Sequence, residues 1–183
     1  MRLKKYSLKQ AHHDLPKRRV TDNKTIGGKS LVIAGSYGKW GAAILCAEAT
    51  ARSGAGYTYI FDPQKNFASF KNPDFLLVNT VKDFAMFQSI SIGPGFSNQI
   101  LLKKLIFKLA KMNFTNVVLD AEAINMLAKL KAVPKIPPTW IMTPHEGELS
   151  RLLKVSSAAI RMDRKKYLQL AQKKNGLYCF IKR

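Results

Sequence analysis

The sequence predicts an α/β fold in three layers, with a mainly parallel sheet and helices on both faces. Short apolar runs alternate with segments of helical spacing from about residue 30 onward. Continuous apolar strands are typical of parallel sheets whose two faces are both covered by helices. Glycine or proline follows several of these strands, and ligands bind outside the carboxyl ends of the strands in such sheets. The pattern therefore also predicts a nucleotide-handling domain with its binding loops at one edge.

Each element is predicted from its own residues. Leu31–Ala34 is an apolar run that ends at Gly35-Ser36, which favours a buried strand followed by a loop. Residues 41–53 are rich in alanine and stop at Gly54-Ala55-Gly56, which favours a helix. Further strands are predicted at residues 57–61, 75–79, 89–92, 116–120, 139–142 and 177–181. Further helices are predicted at residues 98–112, 121–130, 146–153 and 157–174.

The amino-acid composition limits the classes of protein to which the chain can belong. The 183 residues are 46% hydrophobic, which suffices for one domain with a core. Lys and Arg outnumber Asp and Glu by 31 to 11, and the resulting charge of +20 attracts polyanions without indicating a fold. Cys46 and Cys179 lie in apolar surroundings, which favours a reduced, cytoplasmic chain without a disulfide. His12, His13 and His145 lack metal-ligand spacing, so no metal site is predicted.

The chain is expected to have two parts. Residues 1–29 are basic and polar and contain Pro16, which indicates an arm or linker. Within it, Lys17-Arg18-Arg19 is either a phosphate contact or a solvated face. Residues 30–183 form the α/β domain. Because the sequence has no apolar run of roughly 18 residues and no nucleic-acid-binding motif, we expect neither a membrane nor a specific nucleic acid as a partner.

The loop after the first strand combines glycines with the start of a helix. Gly35-Ser36-Tyr37-Gly38-Lys39-Trp40-Gly41 leads directly into the small-residue helix. Unpaired backbone N–H groups and the helix dipole favour an anion at such a position. The spacing matches neither the Walker A loop nor the dinucleotide fingerprint. The segment is therefore either an anion-binding loop or a tight turn.

Two further strand ends carry residues suited to a ligand. Gly93-Pro94-Gly95 follows a strand, and its glycines permit backbone conformations closed to other residues. It either presents main-chain N–H groups to a ligand or forms a plain turn. Asp120 ends another strand, with Glu122 and Asn125 just beyond it. Its carboxylate either lines a site or caps the next helix.

The turn Thr143-Pro144-His145-Glu146-Gly147-Glu148 gathers a hydroxyl, an imidazole and two carboxylates. We predict that Thr143 caps the following helix and that Glu146, three residues on, completes a capping box. His145 and Glu148 would then be available to face a ligand. A lone histidine is more often structural, but this one lies at the edge of the sheet where ligands bind.

Taken in order, these loops resemble the ADP- or ATP-dependent NAD(P)H-hydrate dehydratases, which have a ribokinase-like fold. The joint order and spacing of the loops carry the likeness, which covers nearly all of residues 22–182. The matching stretches are Lys24–Ala43 (KTIGGKSLVIAGSYGKWGAA), Arg52–Gly56 (RSGAG), Ile92–Phe96 (IGPGF), Val118–Leu127 (VLDAEAINML) and Thr143–Glu148 (TPHEGE).

The resemblance implies a lyase that repairs nicotinamide cofactors carrying an added water across the ring. ADP or ATP, with Mg²⁺, would phosphorylate the hydroxyl of the NADH or NADPH hydrate, and phosphate would then leave. By the same likeness, the hydrate contacts residues spread over four loops. They are Ala42, Ala43, Gly93, Gly95, Asp120, Asn125, His145 and Glu148.

The chain departs from the family pattern at both ends of the likeness. Asn23-Lys24-Thr25 stands where the family has His-Lys-Gly, and Lys182-Arg183 stands where a Lys-Gly pair begins the nucleotide-binding half. Lys182 is therefore the predicted nucleotide contact. The family's Gly-Thr-Gly-Asp motif supplies the catalytic base and the anion hole, and these 183 residues do not contain it. We therefore predict no catalytic residue in them, a truncated form of the fold, and little turnover alone.

Two other functions stay open at this stage. The chain is alternatively an inactive remnant that binds the hydrate without turnover, or a basic nucleic-acid-binding protein. The flank of the last predicted strand, at residues 177–181, is expected to expose apolar surface. Exposed surface of that kind favours self-association, which leaves a homo-oligomer open.

Overall fold

A computed structural model describes residues 7–14, 21, 23–65, 74–176 and 178–180. The strands, in chain order, are β1 (Lys29–Ile33), β2 (Tyr57–Phe61), β3 (Leu76–Val78), β4 (Ser89–Ile92), β5 (Val117–Leu119), β6 (Ile141–Met142) and β7 (Tyr178–Cys179). They form one sheet in the order β3-β2-β1-β4-β5-β6-β7. Every neighbouring pair is parallel, which confirms the predicted parallel sheet.

Helices fill the connections between the strands. They are α1 (Leu8–Asp14), α2 (Trp40–Arg52), α3 (Gln99–Lys111), α4 (Glu122–Lys129), α5 (Glu146–Leu153), α6 (Ser157–Met162) and α7 (Arg164–Asn175). The single helix predicted at residues 157–174 is wrong, because Asp163 ends α6 and caps α7 by accepting a bond from the Lys166 N–H at 2.9 Å. Among the described helices, none is both long and apolar enough to cross a membrane.

Side chains of β1 alternate between the two faces of the sheet. Leu31 and Ile33 belong to a large core cluster, while Val32 belongs to a smaller one. Ala43 and Ala47 of α2 complete the small cluster, and their short side chains let the helix lie close to the strands. Helices α3 to α7 all contribute buried side chains to the large cluster. Helices therefore cover both faces, as predicted.

The parallel register aligns the ends of four strands. Ile33 pairs with Ile92, Ile92 with Leu119, and Leu119 with Met142. Because each of these residues ends its strand, the loops that follow β1, β4, β5 and β6 leave from one side of the sheet, here called the carboxyl edge. The chain order reverses between β1 and β4, which is where open α/β sheets bind ligands.

The end of the predicted N-terminal arm packs against the domain. The Tyr57 N–H donates to Gly28 O at 2.9 Å. Gly56 approaches the Lys24 carbonyl so closely that a Cβ would lie 1.6 Å from its oxygen. The boundary at residues 29 and 30 stays a prediction, and Lys17-Arg18-Arg19 lies outside the described residues.

The last strand is buried on one face and exposed on the other. Cys179 is 4% exposed in the large cluster, and burial raises the pKa of its thiol to about 12, so the thiol stays neutral. Tyr178 lies in a row with Ser91 and Ile141 on the face that α2 covers over β1. Away from α2 this face becomes open, since Tyr178 is 49% and Phe180 55% exposed. Of the strand predicted at residues 177–181, residues 177 and 181 lie outside the described residues.

We expect this exposed aromatic pair to drive self-association. Tyr178→Lys should shift the sedimentation profile toward monomer, because a charged side chain on the open face opposes burial between copies. Met162→Lys is the matched control, since Met162 is 89% exposed on α6 and lies outside the sheet. A wild-type protein that sediments as a sharp monomer at every concentration would contradict this expectation.

Candidate functional site

Backbone hydrogen bonds join the loops that follow β1 and β4. The Gly35 N–H donates to Pro94 O at 2.7 Å, and the Gly93 N–H donates to Ile33 O at 3.0 Å. These two bonds run in opposite directions between the loops, so neither loop can move without the other. They fix both loops at the position where the strand order reverses.

Gly93 allows the closest backbone approach at the carboxyl edge. Its φ is 124°, a region that favours glycine. A Cβ at this position would lie 2.0 Å from Asp120 O and 2.7 Å from the Ala123 nitrogen. Because neither backbone atom can give way cheaply, only glycine brings the β4 loop against the β5 loop. Gly93, a predicted substrate contact, therefore also joins the loops that follow β1 and β4 to the loops that follow β5 and β6.

The structure brings Ala42 and Gly95 together. Gly95 has a φ of 66°, and a Cβ on it would lie 3.0 Å from Ala42 Cβ and 3.3 Å from Lys39 O. The β4 loop thus lies against the start of α2, and the same Cβ would also lie 3.3 Å from Lys39 Cβ. Ala43 differs from them, because it is fully buried in the small cluster. Its side chain packs against the sheet and does not face the edge.

Asp120 connects β5 to β6. The Thr143 hydroxyl donates to Asp120 Oδ1 at 3.0 Å, and the Asp120 N–H donates to Ile92 O at 3.1 Å. Helix α4 has Ala121 as its N-cap residue, with a φ of 45° and no side-chain cap. The alternative in which the Asp120 side chain caps this helix is therefore wrong. Its carboxylate lies half-buried at the carboxyl edge.

The turn after β6 forms a capping box, but with other residues than predicted. His145 is the N-cap of α5, since its Nδ1 accepts from the Gly147 N–H at 3.0 Å. Glu148 completes the box by accepting from the His145 N–H at 2.8 Å. The predicted box of Thr143 and Glu146 is wrong, because the Thr143 hydroxyl donates to Asp120 Oδ1 and the N-cap of α5 is His145. The helix consequently begins two residues later than that box would require.

His145 keeps an exposed ring while it caps the helix. Its Nε2 lies 3.2 Å from Glu148 Oε1, so one ring nitrogen accepts and the other donates. The His145 side chain is nevertheless 55% exposed, whereas that of Glu148 is 6% exposed. The His145 side chain is thus accessible at this edge, while Glu148 is a buried support bonded to it.

Sequence reasoning missed two polar residues at this edge. Arg151 of α5 donates through Nε to Asn125 Oδ1 at 2.8 Å, which ties α5 to α4. Asp62 directly follows β2, is 4% exposed, and lines a cavity of about 20 Å³ with Asn98, enough for about one water. The positions of Asp62 and Arg151 in the sequence could have identified both residues. Asp62 follows a strand as Asp120 does, and Arg151 shares a helix with the His145 turn.

Other parts of the described chain contribute less to this site. Among the described residues, no three His, Cys, Asp or Glu side chains gather into a group that could hold a metal ion. Lys182, the predicted nucleotide contact, lies outside the described residues.

A groove of about 720 Å³ lies at the opposite edge of the sheet, between the end of α3 and the loop before β6. Its lining residues, among them Phe107, Lys111 and Ile136, belong to none of the loops that follow β1, β4, β5 and β6.

The contact at Gly93 predicts a strong effect of a single methyl group. Gly93→Ala should lower the free energy of unfolding by roughly 1–3 kcal/mol, because the new Cβ collides with backbone on β5. Gly41→Ala is the control, since a Cβ on Gly41 meets no atom within 4 Å. Alanine is the better helix former there, so that change should be neutral or stabilise by up to about 1 kcal/mol. Urea unfolding followed by tryptophan fluorescence measures both, and equal stabilities would contradict the contact.

Comparisons with known proteins agree with the arrangement of the loops. The family model described as NAD(P)H-hydrate dehydratase matches residues 30–181. The bifunctional NAD(P)H-hydrate repair enzyme Nnr of Coxiella burnetii is 35% identical over 158 residues, covering 82% of this chain and 32% of the relative. The ADP-dependent (S)-NAD(P)H-hydrate dehydratase of Listeria monocytogenes is 29% identical over 157 residues, covering 80% of this chain and 56% of the relative.

A solved structure shares the fold. The ADP/ATP-dependent NAD(P)H-hydrate dehydratase of Bacillus subtilis, co-crystallised with ATP and Mg²⁺, superposes with a TM-score of 0.80 at 23% identity. The superposition covers 97% of this chain and 66% of that one, which confirms the ribokinase-like fold. This chain spans about a third of the length of the bifunctional relatives. Since the family model matches residues 30–181 of 183, this chain belongs to the NAD(P)H-hydrate dehydratase family.

Proposed function

We propose that this chain binds hydrated NADH or NADPH along the carboxyl edge, as the substrate-binding part of a nucleotide-dependent NAD(P)H-hydrate dehydratase. The observation that carries the proposal is the continuity of this edge. The β1 loop bonds to the β4 loop, Gly93 contacts the Asp120 backbone, and Asp120 bonds to Thr143. The four loops that resemble the family in sequence thus form one surface.

The two ends of this surface suit different parts of the ligand. Ala42 and Gly95 themselves carry small side chains or none, so a flat ring can lie close to backbone there. Asp120 offers a carboxylate that already accepts one bond from Thr143, and a carboxylate has lone pairs for further donors such as a ligand hydroxyl. The exposed face of His145 closes the far end.

The chemistry of the family gives the phosphoryl donor a purpose. Hydroxide leaves carbon poorly, whereas phosphate leaves well, so transfer of a phosphoryl group to the hydrate oxygen prepares the carbon–oxygen bond to break. Loss of phosphate and of a proton from the neighbouring ring carbon then restores the reduced nicotinamide. We propose ADP or ATP as the donor, as in the names of the relatives. Because the 183 residues lack the family's Gly-Thr-Gly-Asp motif, we assign them the binding and orientation of the hydrate and no transfer step.

The family match does not favour the other two functions. An inactive remnant and a nucleic-acid-binding protein are consistent with the charge of +20, but the charge alone points to no site. The proposal makes the small-molecule hydrate the partner of this chain.

His145 provides the sharpest test, because it has two separable roles. His145→Ala should weaken the binding of NADH hydrate at least tenfold and should also cost about 0.5–2 kcal/mol of stability through the lost cap. His145→Asn keeps a capping oxygen, so its melting temperature should stay close to that of the wild type, while hydrate binding is lost as in the alanine variant. Titration calorimetry and thermal melts measure the two effects.

Two controls complete this test. Lys104→Ala changes an exposed residue of α3 and should leave hydrate binding unchanged. NADH itself should bind more weakly than its hydrate, because it lacks the ring hydroxyl that would donate a hydrogen bond to Asp120. If His145→Asn binds the hydrate as well as the wild type does, the histidine is only a cap. If the wild type binds neither ligand, the proposed function is wrong.

A further inference from the structure

Arg151 places a positive charge at the carboxyl edge, and no carboxylate among the described residues pairs with it. It lies in the second turn of α5, and side chains on a helix lean toward its N-terminus. Its Nη1 lies 3.5 Å from the point where a Cβ on Gly147 would sit, and His145 Cε1 lies 2.9 Å from the same point. The guanidinium is therefore folded back beside the His145 ring, and the missing side chain of Gly147 leaves the space between them open.

A neutral partner holds this guanidinium in place. The Arg151 Nε donates to Asn125 Oδ1 at 2.8 Å. An amide oxygen fixes the direction of the group and leaves its charge in place, whereas a carboxylate would cancel that charge. Asn125 thus acts as a positioning residue for Arg151.

The nearby carboxylates are bound to other groups. Glu148 bonds to His145 through both of its oxygens. Glu146 pairs with Arg164 and lies 3.7 Å from Arg161 Nε. Within the described part of the chain, Arg151 has no carboxylate partner. Arg151 is exposed, and its Nη1 lies beside the His145 ring at the proposed hydrate site.

We propose that Arg151 binds a phosphate group of the hydrated dinucleotide and so makes this edge specific for phosphorylated hydrates. This inference rests on the proposed function. A guanidinium held at Nε still offers two NH₂ groups, whose spacing matches two oxygens of one phosphate. Every NADH hydrate carries a pyrophosphate, and the NADPH form carries a further phosphate on its ribose.

The test compares ligands that share a ring and differ in phosphate. The probes are hydrated reduced nicotinamide riboside, NADH hydrate and NADPH hydrate, titrated into the full 183-residue protein. Arg151→Gln should weaken the binding of a phosphate-bearing hydrate roughly 10–100-fold, as expected for a lost charge-assisted hydrogen bond. The same variant should bind the riboside hydrate within about twofold of the wild type. Equal losses for NADH and NADPH hydrates assign Arg151 to the pyrophosphate, and a loss for NADPH hydrate alone assigns it to the ribose phosphate.

Two further variants separate charge from structure. Arg151→Lys should recover part of the affinity, since it restores the charge without the two-pronged geometry. Arg52→Gln removes the same charge from an arginine whose side chain is 83% exposed at the far end of α2, and should leave all three ligands unaffected. The loss of affinity caused by Arg151→Gln should also become smaller as the salt concentration is raised, because ions screen a contact between charges.

Four results would overturn the assignment. An equal loss for the riboside hydrate would mean that Arg151 only supports the fold, and unchanged binding of all three hydrates would mean that it does not touch the ligand. A wild type that binds the riboside hydrate as tightly as NADH hydrate would show that no phosphate is recognised, with the proposed function intact. A wild type that binds none of the three overturns the proposed function and this assignment with it.

Discussion

The carboxyl edge depends on one backbone contact, in which Gly93 lies against the Asp120 carbonyl. A Cβ at that position would come within 2.0 Å of the oxygen, so the contact exists only because residue 93 has no side chain. On one side of it, the β4 loop is bonded to the β1 loop and faces the start of α2. On the other side, Asp120 is bonded to Thr143 and so to the turn that begins α5. One glycine thereby makes a single surface out of loops that are far apart in the chain.

This surface carries groups that either support or contact a ligand. Glu148 is buried and holds His145, while Asn125 holds Arg151. The groups that they support, the ring of His145 and the guanidinium of Arg151, belong to exposed residues. Such pairs stabilise the geometry of a site before a ligand arrives, which reduces the entropy lost on binding. Of the residues that the family resemblance nominated, Ala43, Glu148 and Asn125 thus lie behind the surface or support it, with Ala42, Gly95, Asp120 and His145 at its front.

The sequence predicted the parallel sheet and the strand ends that form its carboxyl edge, because both follow from local patterns and one topological rule. The apolar runs that become β2 and β4 are closed abruptly by Asp62-Pro63 and Gly93-Pro94, so their bounds were predictable. Details that depend on competing local forces were harder. Thr143 bonds to Asp120 across the sheet edge and His145 caps α5 in its place, while Asp163 divides a predicted helix by capping its second half. The bond between Arg151 and Asn125 could not be predicted, since 26 residues separate the partners and only the packing of α4 on α5 brings them together.

Mapping of a bound hydrate on the protein tests the central claim most directly. Backbone amide shifts can be followed by NMR while NADH hydrate is titrated into the labelled chain. The hydrate should perturb the amides of Ala42, Gly95, His145 and Gly147, which lie on all sides of the proposed site. Residues around the groove at the opposite edge, such as Phe107 and Ile136, should remain unchanged. Perturbations confined to that groove, with none among the glycine loops, would contradict the account.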